Sequence, residues 1–189
     1  MWSPDPRRIA SARLLRLAAV LALAGLTAGC FEPLYGEKAT VGGAGLDDKL
    51  ANVEVAPVDA PNGSHESRVG FEVRNELLYQ LTGGTAAPSP LYRLDMHVLV
   101  SQLQVIVDIN TARPDIQNYG VDVTYTLVDL KTNKPVIKGQ TFSRVSYNIP
   151  GQMQRFAGAR GARDAETRAA KEIAENIRNR LASYFVAGS

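Results

Sequence analysis

The sequence predicts an α+β two-layer sandwich, with two helices packed on one face of a small four-stranded, mostly antiparallel sheet. Three observations lead there. Two long stretches alternate apolar and polar residues with the period of a half-buried strand. Two others repeat apolar residues at every fourth position, as an amphipathic helix does. The elements come in the order strand, helix, three strands, helix, which keeps the helices on one side of the sheet.

The first element is Ala51–Val58 (ANVEVAPV), where Val53 and Val55 alternate before Pro57, which has no N–H to donate. Residues 61–67 (PNGSHES) are turn chemistry, with Ser64 or Ser67 placed to cap a helix. That helix is expected over Arg68–Leu81, because Val69, Val73, Leu77 and Leu81 share one face, joined by Leu78, and Gly83-Gly84 stops it. Tyr92, Leu94, Met96, Val98 and Val100 then alternate with Arg93, Asp95, His97 and Ser101. A cleaner strand follows, with Tyr119, Val121, Val123, Tyr125 and Leu127 against Asp122, Thr124 and Thr126. Lys131-Thr132-Asn133-Lys134 reads as a hairpin turn into Val136–Tyr147, where the apolar phase shifts between Phe142 and Val145; a bulge or an edge strand would do that. The C-terminal helix is the strongest signal. Ala165, Ala169, Ile173, Ile177, Leu181 and Phe185 form its stripe, backed by Ala162, Ala170, Ala174 and Tyr184, while Glu172, Glu175, Arg178 and Arg180 fall away from it.

At 189 residues, 45% hydrophobic and 21% charged, the chain has the composition of one globular domain. Its net charge of +2 misleads, because Arg7, Arg8, Arg13 and Arg16 lie in the first sixteen residues. Without residues 1–29, 17 basic and 18 acidic residues remain, so the electrostatic footprint of a nucleic-acid binder is missing. One cysteine excludes an internal disulfide framework and a multi-cysteine zinc site; two histidines, His65 and His97, exclude a histidine-rich metal cluster.

The N-terminus has the three parts of an export signal. The four arginines precede an apolar run, Leu17–Leu26, and small residues lead to Cys30. Ten apolar residues make a helix of about 15 Å, half of a bilayer core, so a cleaved signal fits better than a permanent span. L-T-A-G-C resembles the bacterial lipobox, with Thr27 where leucine is usual; cleavage is expected between Gly29 and Cys30, with Cys30 lipidated. An unlipidated thiol after an ordinary signal, or an uncleaved helix, are the alternatives. The expected organisation is a lipoprotein signal peptide at 1–29, a lipidated N-terminus and flexible tether at 30–50, and a folded domain at 51–189.

No G-x-S-x-G, H-E-x-x-H or C-x-x-C motif is present. Asp47-Asp48 and Asp108/Asp115 lack the histidines or glycines of a metal loop. No enzyme, cofactor or metal site is expected. Charge does stand out: residues 30–130 carry 6 basic and 14 acidic residues, and residues 131–189 carry 11 and 4. The basic set includes Lys131, Lys134, Lys138 and Arg144 around the hairpin, then Arg155, Arg160, Arg163 and Arg168 at the last helix. It is either a solvated face or a site for an anion, where arginine suits phosphate. An exported, lipid-anchored domain does not meet nucleic acid, and the abundant polyanion of a bacterial outer membrane is lipopolysaccharide. Lys131, Lys134 and Lys138 are the first candidates to bind it, with Arg155, Arg160 and Arg163 as the competing set.

The segment Ala28-Gly29-Cys30-Phe31-Glu32-Pro33-Leu34-Tyr35-Gly36 resembles the mature N-terminus of the lipopolysaccharide-assembly lipoproteins of the LptE family, which carry a G-F-x-P-L-Y-type segment at the cysteine. The glycine common before the aromatic is absent here. Length, element order and the alanine-rich final helix with Arg180-Leu181 agree with that family as well. The resemblance implies a plug in the lumen of the outer-membrane barrel LptD, which assists barrel assembly and binds lipopolysaccharide on its way to the cell surface. It supplies no ligand-contact residues. The alternative is a lipid-anchored periplasmic binding or accessory lipoprotein of another envelope transport system.

Overall fold

The computed structural model describes residues 45–187 except 86, 88, 107–113 and 150–154. The export signal, Cys30, the Phe31–Gly36 motif and Asp108 lie outside the described residues. The elements are α1 (Leu46–Ala51), β1 (Val53–Val55), α2 (His65–Thr82), β2 (Tyr92–Ile106), β3 (Pro114–Asp129), β4 (Lys134–Asn148) and α3 (Arg155–Ala187). The four strands form one sheet in the order β1-β2-β3-β4. β1 runs parallel to β2, and the other two pairings are antiparallel. α2 and α3 cover one face of this mixed sheet, so the α+β sandwich of two helices on a four-stranded sheet is the observed architecture.

Local chemistry sets the element ends. Ser64 Oγ accepts the N–H of Ser67 at 3.0 Å and caps α2, and Gly83 ends it in the left-handed conformation at φ 69°. β1 is short because its last sheet bond, Ala56 N–H to Leu94 O at 3.0 Å, is followed by Pro57. Inward side chains of β2 and β3 (Leu94, Met96, Val98, Tyr119, Val121, Val123, Tyr125 and Leu127) meet Val69, Val73 and Leu77 of α2 and the whole predicted stripe of α3 in one core. Each fully buried leucine or isoleucine there contributes on the order of 2 kcal/mol.

Two expectations need correction in detail. The end of the segment read as flexible tether is helical: α1 occupies Leu46–Ala51 and buries Leu46 and Leu50, four residues apart on one side of its turn. The glycines just before it hid that pattern. Of the two readings of the apolar phase shift in β4, the edge strand holds and a bulge at Phe142 does not. Pairing stays in step from Ile137 to Asn148 and slips only between Leu127 and Val128, where Val136 is the extra residue. Inward positions 139, 141 and 143 are simply not apolar. Gly139 leaves room for the ring of Tyr125, which a Cβ would meet at 2.6 Å, and buried Ser143 donates its hydroxyl to Glu172 Oε2 of α3 at 2.6 Å. Phe142 faces outward, and β4 is an edge strand of the sheet.

Candidate functional site

The two basic sets lie at opposite ends of the domain. Tyr92 pairs with Asp129, and Leu91 O accepts the N–H of Leu130 at 2.9 Å, so the β3–β4 turn sits where β2 begins. α3 starts at the other end, where Gly161 approaches Tyr147 and Asn148. The 15 residues of β4 therefore separate the ends by roughly 50 Å. The charge asymmetry of the sequence does not make a single patch.

At the turn end, Lys131, Lys134 and Lys138 are all exposed. Asp129 Oδ1 accepts the N–H groups of Lys131 and Thr132 at 2.7 and 3.1 Å, and Asn133 takes φ 52°. That geometry makes a tight, polar turn. Lys138 departs from the expected projection: it stands on the open face of the sheet, in a row with Thr126 and Asp95, rather than at the tip of the hairpin.

At the other end, Arg160 and Arg163 share one solvent-facing side of α3 with Phe156, Ala159, Asp164 and Thr167, which together line a wide-open surface depression. Arg155 opens α3, and its side chain is outside the described residues. Phe156 is 90% exposed. Asp164 is held by Arg168 at 2.7 Å, and Arg163 lies 4.0 Å from Glu166. Glu166 is the centre of a network that sequence periodicity did not reveal. It is only 3% exposed, yet Arg68 of α2 grips both carboxylate oxygens at 2.6 and 3.0 Å, and Tyr119 of β3 donates to it at 3.4 Å. His65 Nδ1 lies 2.8 Å from the same guanidinium. The hydrogen bond from Arg68 to Glu166 holds the guanidinium above its ordinary value, against desolvation. Burial, with the Glu166 charge beside it, pushes the Tyr119 phenol well above the usual range. The network joins α2, β3 and α3, with the exposed Arg163 at its edge. Its signal in the sequence was a charge beside each apolar stripe, Arg68 before Val69 and Glu166 after Ala165.

Large exposed apolar side chains occur on both layers of the domain and at its ends. Phe71 and Tyr79 stand on α2, Leu99, Leu103 and Phe142 on the open sheet face, and Phe156 at the arginine end. Among the described residues, no group of three or more His, Cys, Asp or Glu is arranged to hold a metal ion, and no helix is long and apolar enough to cross a membrane.

Comparison with known proteins bears on these features. The sequence pattern of the family described as LptE: Lipopolysaccharide-assembly matches residues 50–181. No curated protein matches the chain. Among solved structures, a Caulobacter crescentus protein described as a lipoprotein is similar, with a TM-score of 0.58 and 24% identity over 76% of this chain and 97% of that one. This likeness is one of fold. The rare lipoprotein B of Shewanella oneidensis aligns with a TM-score of 0.49 and 12% identity, covering 69% of this chain and 93% of that one. A minor lipoprotein of Acinetobacter baumannii gives 0.48 and 12%, covering 70% and 92%.

Proposed function

The chain belongs to the LptE lipopolysaccharide-assembly family, and from that premise we propose that it is an outer-membrane lipoprotein enclosed by an LptD-type β-barrel, where it assists barrel assembly and binds lipopolysaccharide. It acts by binding and by shape, without a catalytic step. The observation that carries the enclosed placement is the distribution of exposed apolar side chains. A domain docked on one side needs one apolar patch, whereas Phe71 and Tyr79 on one layer and Leu103 on the other suit contact on both faces.

For the ligand, the arginine end fits an amphiphilic anion better than the turn end does. Arg160 and Arg163 supply phosphate-binding guanidinium groups beside Phe156, which is far more exposed than Leu91, the large apolar side chain next to the turn. Arg155 is the third member of this set. Lys131, Lys134 and Lys138 are the competing site.

Purification of the full chain from native envelopes tests the assembly. A large outer-membrane β-barrel and lipopolysaccharide are expected to come with it, and the absence of both contradicts the reading. The anchor has its own test: the intact mass is expected to equal residues 30–189 plus acyl groups on Cys30. A product that keeps residues 1–29, or is cut elsewhere without lipid, overturns that part.

A further inference from the structure

We propose that the open face of the sheet carries a saccharide-binding depression that takes one pyranose ring against Phe142. Two neighbouring cross-strand rows build it. One is His97, Thr124 and Gln140; the next is Leu99, Asp122 and Phe142. These six side chains line a shallow concavity on the sheet face that no helix covers.

Its edge is unusually ordered for a surface. Arg144 Nη2 donates to both carboxylate oxygens of Asp122 at 2.9 Å, and Nη1 donates to Ser143 O at 3.0 Å and Val121 O at 3.3 Å. The guanidinium carbon stands 5.5 Å from the centre of the Phe142 ring. Gly120 keeps the lane open for this arginine, since a Cβ there would meet its Cδ and Nε at 3.1 Å. An exposed ion pair of this kind contributes little to folding. Its effect is to hold Phe142 and the Asp122 carboxylate in fixed positions beside the depression, which lowers the entropy lost when a ligand binds.

The chemistry on offer selects the ligand class. A pyranose presents a face of C–H groups that stacks on an aromatic ring, and a rim of hydroxyls that need both donors and acceptors. Phe142 supplies the ring. Gln140 and Thr124 both donate and accept, the Asp122 carboxylate accepts, and the His97 imidazole is available from the side. Asp122 neutralises Arg144, so the lining itself carries no net positive charge to favour a phosphate, and the nearest cation, Lys138, stands in the next row, beyond Gln140. The depression is thus distinct from the arginine end on α3.

This inference rests on the proposed lipopolysaccharide reading only for the source of the sugar. The test is a titration of the isotope-labelled full chain with lipid-free core oligosaccharide, and separately with intact lipopolysaccharide. Oligosaccharide is expected to shift the resonances of His97, Thr124, Gln140 and Phe142, and Phe142→Ala is expected to weaken that binding about tenfold. Phe142 is 64% exposed, so this variant keeps its fold, and Gln140→Ala gives an independent second reading. If intact lipopolysaccharide binds but the oligosaccharide shifts nothing at these residues, the depression is overturned and the ligand reading stands. If the oligosaccharide binds there while intact lipopolysaccharide does not, the depression stands and the ligand reading falls. Equal binding by the wild type and both variants overturns the site.

Discussion

The two ends of β4 carry similar numbers of cations and are built in different ways. At the turn, Lys131 and Lys134 flank a polar loop pinned by Asp129, Lys138 stands on the open sheet face, and all three are exposed. At the start of α3, the exposed Arg163 stands at the edge of a network whose buried carboxylate ties both helices to the sheet. Charge at the turn is expected to be changeable with little consequence for the fold. At the arginine end, surface chemistry and the packing of the domain are linked through Glu166. Equal charge in a sequence therefore says little about what that charge does.

The largest break in this comparison is expected from Arg68→Ala. Glu166 is left buried with its main partner removed, and a loss of about 2–3 kcal/mol is expected in chemical denaturation, near the lower bound for a broken buried pair because Arg68 itself is partly exposed. A stability within experimental error of wild type would mean that water replaces the arginine and that the two ends are alike.

Binding comes next. Replacing Phe156, Arg160 and Arg163 together with serine is expected to weaken lipopolysaccharide binding about ten- to a hundredfold, and the effect of salt on the remaining affinity is expected to shrink. The triple variant Lys131→Ser, Lys134→Ser, Lys138→Ser is expected to lose at most a few-fold. The reverse order of losses moves the ligand to the turn.

A smaller, pH-dependent difference follows from the tyrosines. Burial raises the phenols of Tyr92, Tyr119, Tyr125 and Tyr147, most of all Tyr119, which Glu166 also pushes up. A raised phenol means that the folded state holds its proton more tightly than the unfolded chain. The associated stability is complete below about pH 10 and is lost as pH rises through the folded values. The melting temperature is expected to fall above pH 10, less steeply in Tyr119→Phe. An unchanged alkaline slope in that variant would place Tyr119 outside the network.

The smallest effect is the stability of the lysine triple variant, expected within about 0.5 kcal/mol of wild type. A larger loss would show that the turn contributes to the fold as the arginine end does.

What could be read in advance follows the same division. The stripe of α3 and the alternation of β3 were legible because burial repeats with the period of the backbone, and every residue of that stripe from Ala165 to Phe185 is buried. α1 was not, since six residues after a run of glycines are too few to establish a period. β4 misled because Gly139 and Ser143 face inward for reasons that lie on other elements, the Tyr125 ring and Glu172. The candidate site was legible only as a list of cations. Their division between two ends, the Glu166 network and the depression beside Phe142 depend on pairing between strands distant in sequence, which no local pattern records.

The central claim is enclosure on both faces, and site-specific photocrosslinking in intact cells tests it most directly. A photoreactive residue placed at Tyr79, on the helix layer, and another at Leu103, on the sheet layer, are each expected to give an adduct with the same outer-membrane β-barrel. Adducts from one position alone, or from neither, would contradict it.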